Sequence, residues 1–112
     1  MKAVLTFLSL LVLVMPASAK SGALMRGLDR LNGAVEDFEI GAGEVMIYER
    51  LKIELADCRL REGSAEAHAY LRIWDVRRPD EVLFDGWMFA ASPAFAALDH
   101  PRYDVWVLSC KT

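Results

Sequence analysis

The sequence predicts a small all-β domain, mainly antiparallel, built as a sandwich or open barrel of about five or six strands. Two observations favour this fold. Apolar and polar residues alternate in several short segments, and turn residues separate those segments. Alternation with a period of two gives each strand one buried and one solvated face.

The amino-terminal segment has the pattern of a secretory signal peptide, and residues 1–19 are expected to be removed. Lys2 precedes an apolar run over residues 3–14, and small residues end the segment at 17–19. The run is too short to span a bilayer of about 30 Å as a lasting helix. No cysteine follows the expected cleavage site to carry a lipid. We therefore expect residues 20–112 to form one soluble periplasmic domain without a stable membrane anchor.

The first half of this domain is expected to contain a short helix and three strands. The helix is expected at residues 21–31. Strands are expected at 34–40, 44–49 and 50–58, with a glycine-rich turn at 41–43. The third strand alternates most clearly, with apolar residues Leu51, Ile53 and Leu55 between polar residues Lys52 and Glu54.

The second half is expected to begin with two strands joined by a turn. Residues 67–76 carry apolar side chains on both faces, which favours a central strand. Residues 77–80 form a turn, because Pro79 fixes its own φ and disfavours helix at the residue before it. The strand pattern resumes at 81–90, where Gly86 indicates a bulge or a close backbone contact.

The chain is expected to end with a short helix and a last strand. Ser92 is a good helix cap and Pro93 suits the first helical position, which predicts a helix at 93–98. Residues 103–110 then alternate as a strand.

The two cysteines, Cys58 and Cys110, are expected to form a disulfide, because an even cysteine count behind an export signal indicates an oxidising compartment. The bridge would close a loop of roughly 50 residues, worth about 4 kcal/mol in chain entropy. A redox role is disfavoured, because catalytic cysteines are more often close in sequence, as in C-x-x-C.

Charge and motif content disfavour nucleic-acid and metal binding. The formal net charge is −3 and no basic stripe is present, which excludes a nucleic-acid partner. The two histidines, His68 and His100, are too few for a closed zinc site unless carboxylates complete it. We expect no metal and no cofactor.

A hydrolytic site is the remote functional alternative. It would use Ser92 as nucleophile and His100 as base, with one of three nearby acids orienting the histidine: Asp85, Asp99 or Asp104. Ser92 lacks the G-x-S-x-G turn, and helix capping already accounts for Ser-Pro. The sequence therefore does not predict an enzyme. If Asp104 is buried, we expect backbone amides of a turn to bind its carboxylate.

Aromatic residues carry the main functional hypothesis. They concentrate in the carboxyl half, where they either fill the core or form an exposed patch. The candidate binding residues are Trp87, Phe89, His100, Tyr103, Asp104 and Trp106. We expect a non-catalytic interaction module of the cell envelope that binds another, unidentified protein through an apolar groove or sheet edge near Trp87 and Trp106. The alternative is a domain that binds a glycan or small ligand through exposed aromatics.

Several sequence blocks carry a resemblance to a known family. The blocks are "LDRLNG" (28–33), "LKIELADC" (51–58), "AYLRIWD" (69–75), "GWMFA" (86–90), "SPA" (92–94) and "DHPRYDVW" (99–106). Together they resemble domain-of-unknown-function family 2155, a family of exported alphaproteobacterial proteins, over about residues 24–110. Because that family has no assigned activity, the resemblance implies no reaction, cofactor or partner.

Overall fold

The computed structural model describes residues 21–111, and this part of the chain is all-β, as predicted. Its strands are β1 (Gly22–Asp29), β2 (Ala34–Gly41), β3 (Val45–Tyr48), β4 (Leu51–Leu60), β5 (Ala67–Asp75), β6 (Val82–Phe89) and β7 (Tyr103–Lys111). No helix that could cross a membrane occurs within these residues. The expected signal peptide at residues 1–19 lies outside the described part.

The strands form two antiparallel sheets that pack face to face as a sandwich. One sheet has the order β2-β1-β7 and the other has the order β3-β4-β5-β6. β1 lies against β4, and β7 lies against β5. The largest fully buried side chains come from both sheets and are Met25, Leu51, Ile53, Leu55, Leu71, Ile73, Met88, Tyr103, Val105 and Val107.

The prediction of a helix at residues 21–31 is wrong, because this segment contains strand β1. Its leucine, methionine and arginine residues have high helix propensity, but tertiary packing overrides propensity here. Buried residues recur at every second position from Ala23 to Asp29, which is the period of a strand. β1 is also the central strand of its sheet, since it pairs with both β2 and β7.

Gly27 of β1 is required by close packing between the two sheets. A Cβ at this position would overlap the ring of Tyr48, which lies at the end of β3. The Tyr48 ring in turn stacks on Phe38 at 5.2 Å and meets Tyr103 edge-on at 6.0 Å. The missing side chain of Gly27 therefore makes room for an aromatic cluster that bridges the sandwich.

The predicted helix at residues 93–98 is also wrong. The amide of Phe95 donates to the carbonyl oxygen of Ser92 at 3.0 Å, but this turn does not continue as a helix. A helix would place Phe95 and Leu98 on the same face, because they are three positions apart. Instead Phe95 is 80% exposed and Leu98 is 2% exposed. The segment is an irregular connection that crosses from one sheet to the other.

The pairing of β5 and β6 contains one irregularity in register, and it does not lie at Gly86. The shift lies between Ile73 and Trp74, where Leu83 is the extra residue. A Cβ on Gly86 would meet only the Phe84 ring, at 3.9 Å, which is ordinary van der Waals contact. The expectation of a bulge or close backbone approach at Gly86 is therefore wrong.

The predicted disulfide between Cys58 and Cys110 is confirmed, with a Cα–Cα distance of 5.6 Å and a sequence separation of 52. It joins β4 to β7 and thus links the two sheets covalently. A disulfide is typical of proteins that fold in an oxidising compartment, so this bond suggests an exported protein.

Candidate functional site

The outer face of the four-stranded sheet carries a cluster of aromatic side chains. The antiparallel register sets His68 opposite Phe89 and Tyr70 opposite Trp87. Their neighbours Ala67, Ala69 and Leu71 are buried, so the period of two directs the aromatic residues away from the core. Phe95, in the connection after β6, contacts Phe89. We call these five residues the aromatic patch: His68, Tyr70, Trp87, Phe89 and Phe95.

The rings of the aromatic patch pack edge-to-face. The ring centroids of His68 and Phe89 lie 4.7 Å apart, those of Tyr70 and Trp87 lie 5.3 Å apart, and those of Phe89 and Phe95 lie 5.7 Å apart. Such T-shaped pairs are favourable and hold the rings in fixed orientations. All are half-buried except Phe95, which projects into solvent. The patch is therefore an ordered apolar surface.

Polar groups beside the aromatic patch form their own pairs. The Tyr70 hydroxyl donates to Asp85 Oδ1 at 2.5 Å, and the Arg72 Nε lies 3.4 Å from the same oxygen. The hydrogen bond from Tyr70 lowers the pKa of Asp85 and raises the pKa of Tyr70. The Arg59 guanidinium lies over the Trp87 ring at 6.0 Å and pairs with Asp57. Arginine and carboxylate groups thus border the aromatic rings.

A concavity of about 410 Å³ opens beside the aromatic patch. Its lining residues are Arg59, Leu60, Arg61, Glu62, His68, Trp87 and Phe89. The aromatic patch forms one wall, and the end of β4 with the following turn forms the other. An apolar side chain projecting from another molecule could enter between these walls.

A buried polar cluster lies at the opposite end of β5, and its centre is the pair Asp75 and His100. These residues are 6% and 4% exposed. Asp75 Oδ2 lies 3.1 Å from both His100 Nε2 and Arg50 Nη2, and Asp75 Oδ1 accepts the amide of Arg77 at 2.9 Å. The backbone hydrogen bond from Arg77, followed by the hydrogen bond from His100, holds the pKa of Asp75 far below its usual range.

The hydrogen bonds of His100 prevent this residue from acting as the base of a hydrolytic site. Its Nδ1 accepts the amides of Arg102 and Tyr103, each at 3.1 Å. Nδ1 is therefore unprotonated, so in the neutral ring Nε2 carries the proton and donates it to Asp75. Neither nitrogen is available to take a proton from Ser92. The aspartate that orients His100 is also none of the three that the sequence suggested.

Asp29 at the end of β1, like Asp75, binds a backbone amide and an arginine. Its Oδ1 accepts the amide of Leu31 at 3.0 Å, and Arg102 donates to its two oxygens at 3.1 and 3.0 Å. The Arg102 hydrogen bonds lower the pKa of Asp29. From the sequence, such amide binding is expected of Asp104 only if Asp104 is buried; Asp104 is half-buried and pairs with Arg30 at 3.4 Å. The sequence feature that could have identified Asp29 is its place at the end of a strand, where an aspartate often forms an Asx turn.

The structure separates the six predicted binding residues into three places. Trp87 and Phe89 lie in the aromatic patch, whereas Trp106 and Asp104 line a different concavity of about 390 Å³. Tyr103 and His100 are buried, and His100 forms part of the wall of another cavity. Sequence reasoning also missed Phe95 as a site residue, because its exposure follows from the irregular connection rather than from any periodic pattern.

Neither histidine belongs to a metal-ligand cluster. His68 Nε2 lies 3.4 Å from Glu66, and His100 is bound to Asp75. Within residues 21–111, no group of three or more His, Cys, Asp or Glu side chains is arranged to hold a metal ion.

Comparisons with known proteins identify relatives without an assigned activity. The model of a family described as "Uncharacterized protein conserved in bacteria (DUF2155)" matches residues 23–110. "Uncharacterized protein RP359" of Rickettsia prowazekii (strain Madrid E) is 24% identical over 87 residues, which cover 74% of this chain and 56% of the relative. The chain thus spans little more than half the length of that relative. No solved structure matches.

Proposed function

We propose that this chain, which belongs to the DUF2155 family of conserved bacterial proteins, is a non-catalytic binding domain. Its aromatic patch docks a partner protein of the cell envelope. The partner chemistry that fits is an apolar side chain flanked by carboxylates. The apolar side chain would enter the concavity beside Trp87, and the carboxylates would meet Arg59 and Arg61 at its rim.

The main observation behind this proposal is the exposure of Phe95. A phenylalanine that is 80% exposed buries little apolar area on folding, yet its ring contacts Phe89 at 5.7 Å and extends the aromatic patch outward. Protein interfaces concentrate their binding energy in a few aromatic and arginine residues around which water is excluded. The exposed surface contains such residues, namely Phe95, Trp87 and Arg59. Trp87 and Arg59 line the concavity and contact each other, and Phe95 extends the same aromatic patch.

A protein partner fits this surface better than a glycan. A sugar ring binds aromatic residues by stacking on an open ring face, but the Trp87 ring has Arg59 above it at 6.0 Å. Trp74, the other tryptophan of this outer face, has the Lys52 ammonium above it at 5.5 Å. A guanidinium on an aromatic face is a common arrangement at protein interfaces.

The Cys58–Cys110 disulfide supports the proposed location. Disulfides persist in the bacterial periplasm and are rare in the cytosol. The disulfide also lies behind the aromatic patch, on the inner face of the sheet, since Cys58 pairs in register with buried Ala69, between His68 and Tyr70. A periplasmic domain would thus keep its binding surface in shape with a covalent bond.

Site-specific photo-crosslinking in cells that export the protein tests the proposal. A photoreactive amino acid is placed at Leu60 or Glu62, which line the concavity, and in matched controls at Val35 or Asp37, which are exposed on the other sheet. We expect one defined protein adduct from the first pair that is absent from the second pair. Substitution Phe95→Ala in the crosslinking background should remove that adduct.

The outcomes separate the alternatives. An adduct that forms equally at Val35, or one that persists in Phe95→Ala, contradicts docking at the aromatic patch. If no adduct forms at Leu60 or Glu62, the protein-partner proposal is rejected. Purified cell-wall oligosaccharides that shift the tryptophan fluorescence would then favour the glycan alternative.

A further inference from the structure

A second cavity lies at the opposite end of β5 from the aromatic patch. Its volume is about 380 Å³, within the roughly 300–1,000 Å³ range of small-molecule pockets. The turn between β5 and β6 and the segment before β7 enclose it. Its lining residues are Arg50, Asp75, Arg77, Arg78, Glu81, Leu83, Asp99, His100 and Pro101.

The inner charges of this cavity are already paired. The Asp75 carboxylate is bound by the Arg50 guanidinium, by His100 Nε2 and by the amide of Arg77. At the rim, Arg78 and Glu81 form an ion pair at 3.6 Å. These groups are occupied with one another and give the cavity a fixed, polar wall.

Two opposite charges in the same cavity remain without partners. Among the contacts of residues 21–111, neither the Arg77 guanidinium nor the Asp99 carboxylate has an ion pair or a side-chain hydrogen bond. Both residues are exposed. In addition, Arg50 Nε is buried and has no hydrogen-bond partner, which is costly for a charged donor. The cavity thus offers one unpaired cation, Arg77, one unpaired anion, Asp99, and an unsatisfied donor on Arg50.

We propose that this cavity binds a small zwitterion, namely a free amino acid or a short peptide with both termini free. Its carboxylate would pair with Arg77 beside the Arg50 guanidinium, because guanidinium groups bind carboxylates in a fork. Its ammonium group would pair with Asp99. A small apolar side chain would rest on Leu83 and Pro101, the apolar residues of the lining.

Nuclear magnetic resonance titration of the isotope-labelled protein with L-alanyl-L-alanine tests this site. We expect saturable shifts of the amide signals of residues 77 and 99, with an affinity in the range of about 0.1–1 mM. Blocking the amine by acetylation, or the carboxylate by amidation, should weaken binding at least about tenfold each, because each block removes one charged contact.

Paired variants locate the two contacts. Arg77→Gln and Asp99→Asn should each weaken binding about tenfold, since both residues are exposed and neither supports the core. Arg26→Gln and Asp37→Asn are the controls, because that ion pair is exposed on the other sheet. No saturable shift at about 20 mM dipeptide, equal binding of a blocked form, or unchanged binding in Arg77→Gln or Asp99→Asn would each overturn the proposal.

Discussion

The two ends of the four-stranded sheet reverse the usual placement of polar and apolar side chains. At the end of β5 that carries Asp75, a carboxylate and an imidazole are buried and fully hydrogen-bonded. At the start of β5, aromatic side chains face outward and Phe95 stands in solvent. Both arrangements cost free energy unless something compensates for them.

The compensation differs between the two ends. At the polar end, the side chains of Asp75, His100 and Asp29 are satisfied within the molecule, because they bind backbone amides and arginines of the connecting segments. This network therefore serves the fold. At the aromatic end, Phe95 has only the edge of the Phe89 ring as a partner, and the disulfide secures this end instead. Its exposed rings suit a partner protein.

Removing the disulfide should have the largest effect on stability. The double variant Cys58→Ala with Cys110→Ala releases a loop with a sequence separation of 52. The chain-entropy estimate is a loss of about 4 kcal/mol from the free energy of unfolding. Urea denaturation followed by tryptophan fluorescence measures it. A loss below about 1 kcal/mol would show that the aromatic end is secured by packing alone.

Removing the buried carboxylate should have the next largest effect. Asp75→Ala leaves the His100 Nε2 proton and the Arg77 amide without an acceptor, which should lower the free energy of unfolding by about 3 kcal/mol. Asp85→Ala on the adjacent strand is the matched control and should cost much less, because the Asp85 carboxylate is exposed. Equal losses in the same denaturation experiment would contradict the division between the two ends.

Two glycine substitutions test the packing between the sheets. Gly27→Ala forces a methyl group into the Tyr48 ring and should cost about 1–3 kcal/mol of unfolding free energy. Gly86→Ala meets only ordinary contact and should be neutral or slightly stabilising, because alanine loses less chain entropy than glycine. Thermal melting of both variants measures the difference. A destabilising Gly86→Ala would show that β6 is packed more tightly than the distances indicate.

Acid should weaken the polar end of the sheet. The pKa values of Asp75 and Asp29 are lowered from 3.8 in the folded state, so the unfolded chain binds protons more readily. The stabilisation that Asp75 and Asp29 give the folded state is therefore complete at pH values well above 3.8 and is lost as the pH falls below 3.8. Denaturation at several pH values from about 6 to 2 should show this decline, and Asp75→Asn should flatten it. An unchanged slope in Asp75→Asn would contradict the assignment.

Most strands were predictable because their alternation is a local property. Residues 50–55 alternate strictly, and the observed strand is Leu51–Leu60. β1 was not predictable in the same way, because its segment favours helix by propensity and becomes a strand through pairing on both edges. The segment at 93–98 has good capping residues, but exposed Phe95 and buried Leu98 do not share the face that a helix would give them.

The candidate site was only partly predictable. Trp87 and Phe89 are two positions apart on one strand, so their shared face followed from the sequence. Trp106 lies on the other sheet, and strand order is not encoded in any local pattern. The aspartate that binds His100 comes from a strand end 25 residues earlier, a distance that only the folded chain closes.

The most direct test of the account compares binding and stability in Phe95→Ala. Val35→Ala is the matched control, because Val35 is 59% exposed on the other sheet. With the partner protein captured through Leu60 or Glu62, the affinity of Phe95→Ala should fall at least about tenfold while the free energy of unfolding stays within about 0.5 kcal/mol. Val35→Ala should change neither quantity. An unchanged affinity in stable Phe95→Ala would contradict the claim that the aromatic patch is the binding surface.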